Sequence, residues 1–221
     1  MKLFGTAAQH EKYLGALTKG EAIAAISLTE ADHGCDLTRM NTTMVDRGDR
    51  FVLNGTKIFT TNAAYADFFI VLASSGGQRT AFIVERRFDG VRTLPMKGLL
   101  ARRASHVAQV ELENVYVPAE NVIGRPGGGF SYVVGTSLDH GRYSIAWSGV
   151  AVAQEALDAM VSYARKRRQF DKRICEFQLV QGIIADAVTK THAARALCIR
   201  AGELRRTGNS NAVVETTIAK Y

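Results

Sequence analysis

The sequence predicts an α+β protein in which an all-β domain precedes part of a helical bundle. Between residues 25 and about 125, short apolar or alternating runs recur between turn residues, at the spacing of an all-β sandwich or barrel. From residue 129 onward, apolar side chains recur at helical spacing over long segments. There is no alternation of strands with helices of the kind that builds a parallel sheet.

The β domain is predicted from short segments bounded by turn residues. Residues 49–59 alternate around an Asn54-Gly55 pair, which is typical of a hairpin. Residues 68–73 are continuously apolar and end at a Ser-Ser-Gly-Gly turn, as in a buried strand. Further strands are predicted at residues 80–85 and 107–112.

The remaining segments are predicted to be helical or to connect domains. Residues 1–24 show the pattern of a helix end that breaks at Gly20. The glycine-rich run at 124–129 matches no phosphate-binding loop and is interpreted as a domain linker and helix start. Long helices are predicted up to residue 164, over 176–204 and from 211 onward. The last helix still runs at Tyr221, so we expect the polypeptide to be incomplete.

Composition excludes several classes of protein. The chain carries 28 Lys and Arg against 21 Asp and Glu, and 47% of its residues are hydrophobic, so dominant disorder is excluded. The densest basic run, residues 165–168, has one nearby aromatic, Phe170, and no zinc-finger or RNA-binding motif accompanies it. It is interpreted as a solvated helix face or a site for a small anion, and no nucleic-acid partner is expected.

The sequence contains no motif of a metal site or a catalytic nucleophile, and no segment typical of a membrane span. Cys35, Cys175 and Cys198 form no CxxC pair, which fits a reducing compartment, and we expect a cytoplasmic protein. The five His residues form no HExxH motif, so no metal site is expected. There is no GxSxG motif of a catalytic serine either. No apolar run approaches the ~18 residues of a membrane span, and no secretory signal is recognisable.

A longer pattern of motifs runs along the chain in a fixed order. Each motif alone is a weak signal, but their order across the switch from β to α resembles the acyl-CoA dehydrogenase family over residues 4–221. The motifs are Thr-Glu-Ala-Asp-His-Gly-Cys-Asp at 29–36, Lys-Ile-Phe-Thr-Thr-Asn at 57–62, the segment 115–124, Arg142, Arg-Arg-Gln-Phe at 167–170, and Phe-Gln at 177–178.

The resemblance implies a fold, a cofactor and an assembly. The family has an N-terminal helical domain, a barrel-like middle β domain and a C-terminal four-helix bundle, with FAD between the last two, usually in a homodimer or homotetramer. On this resemblance, residues 1–24 are the end of the first domain, 25–127 the middle domain and 128–221 a truncated bundle.

Five residues of the β domain match family positions beside the flavin ring. Thr29 matches the threonine at the pyrimidine part of the ring, and Thr61 matches the one that bonds flavin N5. Phe59 occupies a position often held by Trp against the ring. Leu28 and Thr60 would supply backbone contacts nearby. These residue types suit a flavin, which needs hydrogen bonds at its edge and an apolar wall.

A second set matches positions at the diphosphate and adenosine of FAD. Arg167 matches an arginine that reaches the diphosphate of a neighbouring subunit, and a diphosphate needs cations of this kind. Gln178 and Phe170 match residues near the adenosine, whereas Gln169 and Asp171 replace Thr-Gly of some members. From residue 141 onward there are 13 Lys and Arg against 7 Asp and Glu, so +6 of the net charge of +7 lies on this helical part.

The substrate side rests on three residues. Cys35 stands where many members have Ser near the thioester. Asp139 and Arg142 match positions that contact the acyl thioester or its carrier. The segment 137–147 is similar to the branch of the family that acts on thioesters of acyl carrier protein, so CoA and carrier protein both remain possible carriers.

No catalytic base can be named from the sequence. The reaction needs a carboxylate at the substrate α-carbon. Most members hold it late in the bundle, which would place it beyond Tyr221, and a minority hold it at the position of Gly141. Glu30, Asp32 and Asp36 belong to a turn and are interpreted as structural.

Three functions follow from the resemblance. The first is a dehydrogenase that oxidises an acyl thioester and passes electrons to electron-transfer flavoprotein. The second is an acyl-CoA oxidase that uses oxygen, which the residues 3–6 and the turn from Thr29 to Gly34 also suggest. The third is a non-catalytic flavin-binding subunit that lacks the base.

Overall fold

The β-rich half folds as one eight-stranded sheet, and the helical half forms a separate unit. The computed structural model describes residues 1–221, which divide into Met1–Gly135 and Thr136–Tyr221. The predicted order of an all-β domain followed by bundle helices is confirmed. The division falls eight residues later than the expected boundary at 127.

The sheet is mainly antiparallel, with strand order β6-β7-β3-β2-β4-β5-β8 and β1 pairing parallel to β4. The eight strands are β1 (Ala24–Ser27), β2 (Thr43–Asp46), β3 (Arg50–Thr60), β4 (Phe68–Ser75), β5 (Gln78–Glu85), β6 (Val91–Pro95), β7 (Ala108–Pro118) and β8 (Val122–Ile123).

Both faces of β4 are buried, which explains its continuous apolar run. Phe69 and Val71 belong to one hydrophobic cluster, whereas Phe68 and Leu72 belong to a second. A strand that buries both faces needs apolar residues at every position. The same holds for β5, where seven of eight side chains are buried or half-buried.

The Asn54-Gly55 pair lies inside β3, so its interpretation as a hairpin turn is wrong. Strand β3 continues through both residues and pairs with β7, with a register shift between Leu53 and Gly55. The tight hairpin joins β4 to β5 at Gly76 and Gly77, whose φ angles of 54° and 83° suit a two-residue turn.

The first 24 residues pack against the sheet. Residues 7–19 of this segment form one nearly continuous helix made of α1 (Ala7–Gln9), a π-helical segment (His10–Leu14) and α2 (Gly15–Lys19). Tyr13 is buried in the cluster with Phe68, and its hydroxyl donates to Glu85 over 2.8 Å. The helix end is therefore part of the same compact unit as the β domain.

The glycine-rich run is held against β5. The Gly127 amide donates to the Thr80 hydroxyl over 3.0 Å, and Gly128 forms a bridge with Arg79. A π-helical segment (Gly129–Val134) follows and leads into the first long helix, as expected of a helix start. The run is therefore a packed part of the first unit rather than a free linker.

Three helices build the second unit. They are α3 (Gly135–Lys166), α4 (Gln178–Arg206) and α5 (Ala212–Lys220), and a small hairpin of β9 (Arg168–Gln169) and β10 (Lys172–Arg173) joins the first two. The predicted helices are confirmed, with ends shifted by a few residues. No helix of the chain has the length and apolarity needed to cross a membrane.

Candidate functional site

The flavin-matching residues of the β unit meet where β3 ends beside the segment that follows β1. The Ile58 amide donates to the Thr29 carbonyl oxygen over 2.8 Å, which ties the two segments together. Leu28 and Thr29 are half-buried, and Thr61 is exposed. The five residues predicted from the sequence therefore lie on two adjoining segments, 28–29 and 59–61.

A bulge near the end of β3 turns Phe59 outward. The pairing with β7 shifts register between Lys57 and Thr60, and Phe59 has a φ of 52°. Its side chain is 53% exposed, which is unusual for a phenylalanine in a sheet. Bulges of this kind redirect a side chain, so the Phe59 ring faces solvent rather than the core.

Two buried hydroxyls near these segments have no partner within the chain. They are Ser27 Oγ at the end of β1 and Thr60 Oγ1 at the end of β3. Buried polar atoms are nearly always hydrogen-bonded in native proteins. With the exposed Thr61 hydroxyl and the Phe59 ring, these polar groups fit a planar heterocycle that offers hydrogen-bonding edges.

The turn after Thr61 is fixed from two sides. Asn62, with a φ of 63°, donates its amide to the Ser105 carbonyl oxygen over 2.8 Å. The Arg86 guanidinium donates to the carbonyl oxygens of Ala63 and Ala66. A cavity of about 380 Å³ beside this turn is lined by Tyr65, Pro95–Leu99 and His106 among others, and by none of the predicted site residues.

The diphosphate and adenosine set gathers at the connection between α3 and α4. Arg167 follows the last residue of α3, is exposed and forms no ion pair within the chain. Phe170 is 86% exposed with a φ of 51°, and its ring centroid lies 6.5 Å from that of Phe177. Gln169 and Gln178, the first residue of α4, are also exposed.

Asp171 does not place its carboxylate on the neighbouring arginine. The Arg168 guanidinium donates instead to the Asp171 backbone carbonyl oxygen over 2.8 Å, which stabilises the β9–β10 hairpin. Residues Phe170 and Asp171 both have positive φ, as in a two-residue hairpin turn.

The three substrate-matching residues have different surroundings. Cys35 is exposed in the loop after β1, whereas Arg142 is half-buried on α3. Asp139, one turn before Arg142, forms an ion pair with Arg205 of α4 at 2.8 Å. Arg205 also donates to the Thr216 hydroxyl over 3.1 Å, so Asp139 takes part in holding α3, α4 and α5 together.

Two charged residues that sequence reasoning did not single out as a pair lie beneath the flavin-matching segments. Lys57 and Glu30 form an ion pair at 2.8 Å, with side chains 0% and 3% exposed. The local signal in the sequence was a lysine within the strand predicted over 49–59. Its partner lies 27 residues away, so the pairing required the structure.

Comparison with known proteins matches both units. A family model described as the acyl-CoA dehydrogenase middle domain covers residues 25–115, and one described as its C-terminal domain covers 127–221. Glutaryl-CoA dehydrogenase of Desulfococcus multivorans is 39% identical over 99% of this chain and 57% of its own length. The caffeyl-CoA reductase-Etf complex subunit CarC of Acetobacterium woodii is also 39% identical, over 59% of its length.

Solved structures of acyl-CoA dehydrogenases and related flavoenzymes have the fold of this chain. Butyryl-CoA dehydrogenase from Megasphaera elsdenii superposes with a TM-score of 0.92 at 35% identity, covering 98% of this chain and 58% of that protein. An FAD-dependent dehydrogenase gives a TM-score of 0.92 at 30% identity, covering 98% of this chain and 60% of that one. The chain thus spans a little over half the length of the relatives it matches.

Proposed function

Because the chain belongs to the acyl-CoA dehydrogenase family, we propose that it forms the flavin- and substrate-binding part of an FAD-dependent enzyme that oxidises acyl thioesters. The observation that carries the proposal is the end of β3, where the bulge turns Phe59 outward beside the exposed Thr61 and the adjoining Thr29. When bound, FAD supplies the acceptor for a hydride from the substrate.

The residues of the β unit would bind and orient the flavin. We assign the Thr29 hydroxyl to the pyrimidine edge and the Thr61 hydroxyl to N5. The exposed Phe59 ring would cover the flavin and exclude water from it. The backbone of Leu28 and Thr60 would complete the contacts, and the unpartnered hydroxyls of Ser27 and Thr60 fit a polar edge.

The residues at the α3–α4 connection would bind the remainder of FAD. Arg167 offers a guanidinium without a carboxylate partner, which suits a diphosphate. Phe170, Gln169 and Gln178 would contact the adenosine. The proposed assembly is a homodimer or homotetramer, in which Arg167 serves a neighbouring subunit.

The substrate side involves three residues of this chain and a base that the chain does not supply. Cys35, Asp139 and Arg142 would contact the thioester and its carrier, with Asp139 limited by its bond to Arg205. Gly141 supplies no carboxylate, so the α-proton would pass to a base outside these 221 residues. Because a relative is named as a subunit of an Etf complex, we propose electron-transfer flavoprotein rather than oxygen as the acceptor.

Flavin binding and reduction test the proposal. The chain, in a polypeptide that also supplies the carboxylate base, is titrated with FAD, and the complex is mixed without oxygen with a short-chain acyl-CoA or the matching acyl-carrier-protein thioester. We expect FAD to bind and its visible absorbance to bleach faster with the CoA ester. Bound FAD that neither thioester bleaches would support the non-catalytic subunit, whereas absence of FAD binding would contradict the proposal. Reoxidation by air as fast as by electron-transfer flavoprotein would support the oxidase.

Replacing Arg167 with alanine is expected to raise the Kd for FAD by about 10- to 150-fold, because a charge-assisted hydrogen bond contributes ~1.5–3 kcal/mol. The measurement is a fluorescence titration with FAD. Arg165→Ala is the matched control, since it removes the same charge from the last turn of α3. Equal losses in both variants would show that net charge, and not the position of Arg167, retains the cofactor.

A further inference from the structure

Lys57 and Glu30 form a fully enclosed ion pair between two segments of the proposed flavin site. Lys57 Nζ lies 2.8 Å from Glu30 Oε1 and donates a second hydrogen bond to the Leu28 carbonyl oxygen over 3.2 Å. Neither side chain reaches solvent to more than 3%. Such a pair is expensive to bury and survives only where its geometry and hydrogen bonds are favourable.

The carboxylate of Glu30 is bonded from a third segment as well. Its Oε1 accepts from the Thr42 amide at 2.9 Å and from the Thr42 hydroxyl at 2.6 Å, and its Oε2 accepts from the Asn41 amide. Burial acts to raise the pKa of Glu30, but the bonds from Lys57, Thr42 and Asn41 outweigh it and lower the pKa. Glu30 is therefore ionised at neutral pH.

The pair holds the two residues on either side of Thr29. Lys57 binds the carbonyl of Leu28 and the carboxylate of Glu30, and the next residue, Ile58, donates its amide to the carbonyl of Thr29 itself. Residues 28, 29 and 30 are thus each hydrogen-bonded to Lys57 or Ile58 of β3. The bulge that presents Phe59 begins directly after this point.

We infer that Lys57 and Glu30 are positioning residues that fix Thr29 relative to Phe59 and Thr61, and thereby set the geometry of the flavin edge. The inference rests on the proposed function. Two well-packed apolar side chains would stabilise the fold as well as a buried ion pair does. Apolar side chains could not donate a hydrogen bond to the Leu28 carbonyl oxygen. The hydrogen bonds of the ion pair therefore act to position segment 28–30.

The test uses the double variant Glu30→Gln/Lys57→Met, which removes both charges and leaves no buried charge unpaired. A glutamine keeps one acceptor oxygen for Thr42, but its NH2 group cannot accept from the Asn41 amide. The side-chain bonds from Lys57 and the Asn41 bond are lost, whereas the Ile58 amide still donates to Thr29. We expect a folded chain whose Kd for FAD rises about tenfold and whose bound flavin has a shifted visible spectrum. Amide exchange at 28–30 and 58–61 is expected to accelerate.

A matched control separates positioning from stability. Leu53→Ala opens a cavity at a fully buried position of the same strand, outside segments 28–30 and 57–61. It is expected to lower stability and to leave the flavin spectrum unchanged. An unchanged spectrum and Kd in the double variant, or an equal spectral shift in Leu53→Ala, would overturn the inference.

Failure of the proposed function would be recognised separately. If the unsubstituted chain binds no FAD, the proposed function falls, and amide exchange alone decides whether the pair holds segment 28–30. If the double variant does not fold, Thr42→Val takes its place, since it removes one hydrogen bond to Glu30. Faster exchange at 28–30 in that variant supports the inference, and unchanged exchange overturns it.

Discussion

Replacing Lys57 alone with methionine is expected to destabilise the β unit by about 3–5 kcal/mol, the effect of removing one partner of a buried ion pair. The methionine fills a similar volume, but Glu30 is left 3% exposed without its cation. The measurement is urea unfolding at pH 7. Lys97→Met is the control, because Lys97 is an exposed lysine of the same unit, and its replacement is expected to change stability by less than ~0.5 kcal/mol.

The pH dependence of this loss has a definite sign. In the parent, the pKa of Glu30 lies below its ordinary 4.5, so its contribution to stability is present above that pH and is lost as pH falls. Without Lys57, burial still acts to raise the pKa of Glu30 and the largest opposing influence is gone. The pKa of Glu30 is therefore expected to be higher in the variant than in the parent, so the variant gains relative stability as the carboxyl is protonated. The difference between parent and variant is therefore expected to shrink from pH 7 towards pH 4. A difference that is constant over this range would contradict a buried charge as its cause.

The sequence predicted those elements whose pattern is local. Strand β4 was recognisable because both of its faces are buried and every residue is apolar. The long helices α3 and α4 were recognisable because their apolar spacing repeats over many turns. Strand β6 was not predicted, because Val91–Pro95 is mostly exposed and has no marked apolar alternation.

What the sequence could not predict depends on pairing between distant residues. The outward turn of Phe59 comes from a bulge against β7, whose paired residues lie some fifty positions further along the chain. The bond between Asp139 and Arg205 joins two helices, and nothing near either residue indicates the other. The family motifs predict which residues form the site, whereas the conformation of those residues depends on these long-range contacts.

The Asn54-Gly55 pair shows the same limit most clearly. An Asn-Gly pair within alternating residues is the pattern of a hairpin turn, but here Gly55 is an interior residue of β3. Glycine is needed at position 55 for a different reason. A Cβ at this position would lie 2.7 Å from the Cα of Thr42, the residue that binds Glu30 through its amide and hydroxyl.

Replacing Gly55 with alanine is therefore expected to destabilise the β unit by about 3 kcal/mol, because the added methyl overlaps a backbone atom that cannot move aside. Gly77→Ala is the matched control. Gly77 also has a positive φ, 83°, but a Cβ there meets nothing within 4 Å, so the expected loss is only the ~1–2 kcal/mol of the left-handed conformation. Urea unfolding of both variants measures the difference. If the two losses are equal, backbone conformation alone explains the glycine, and close packing of β3 against Thr42 does not.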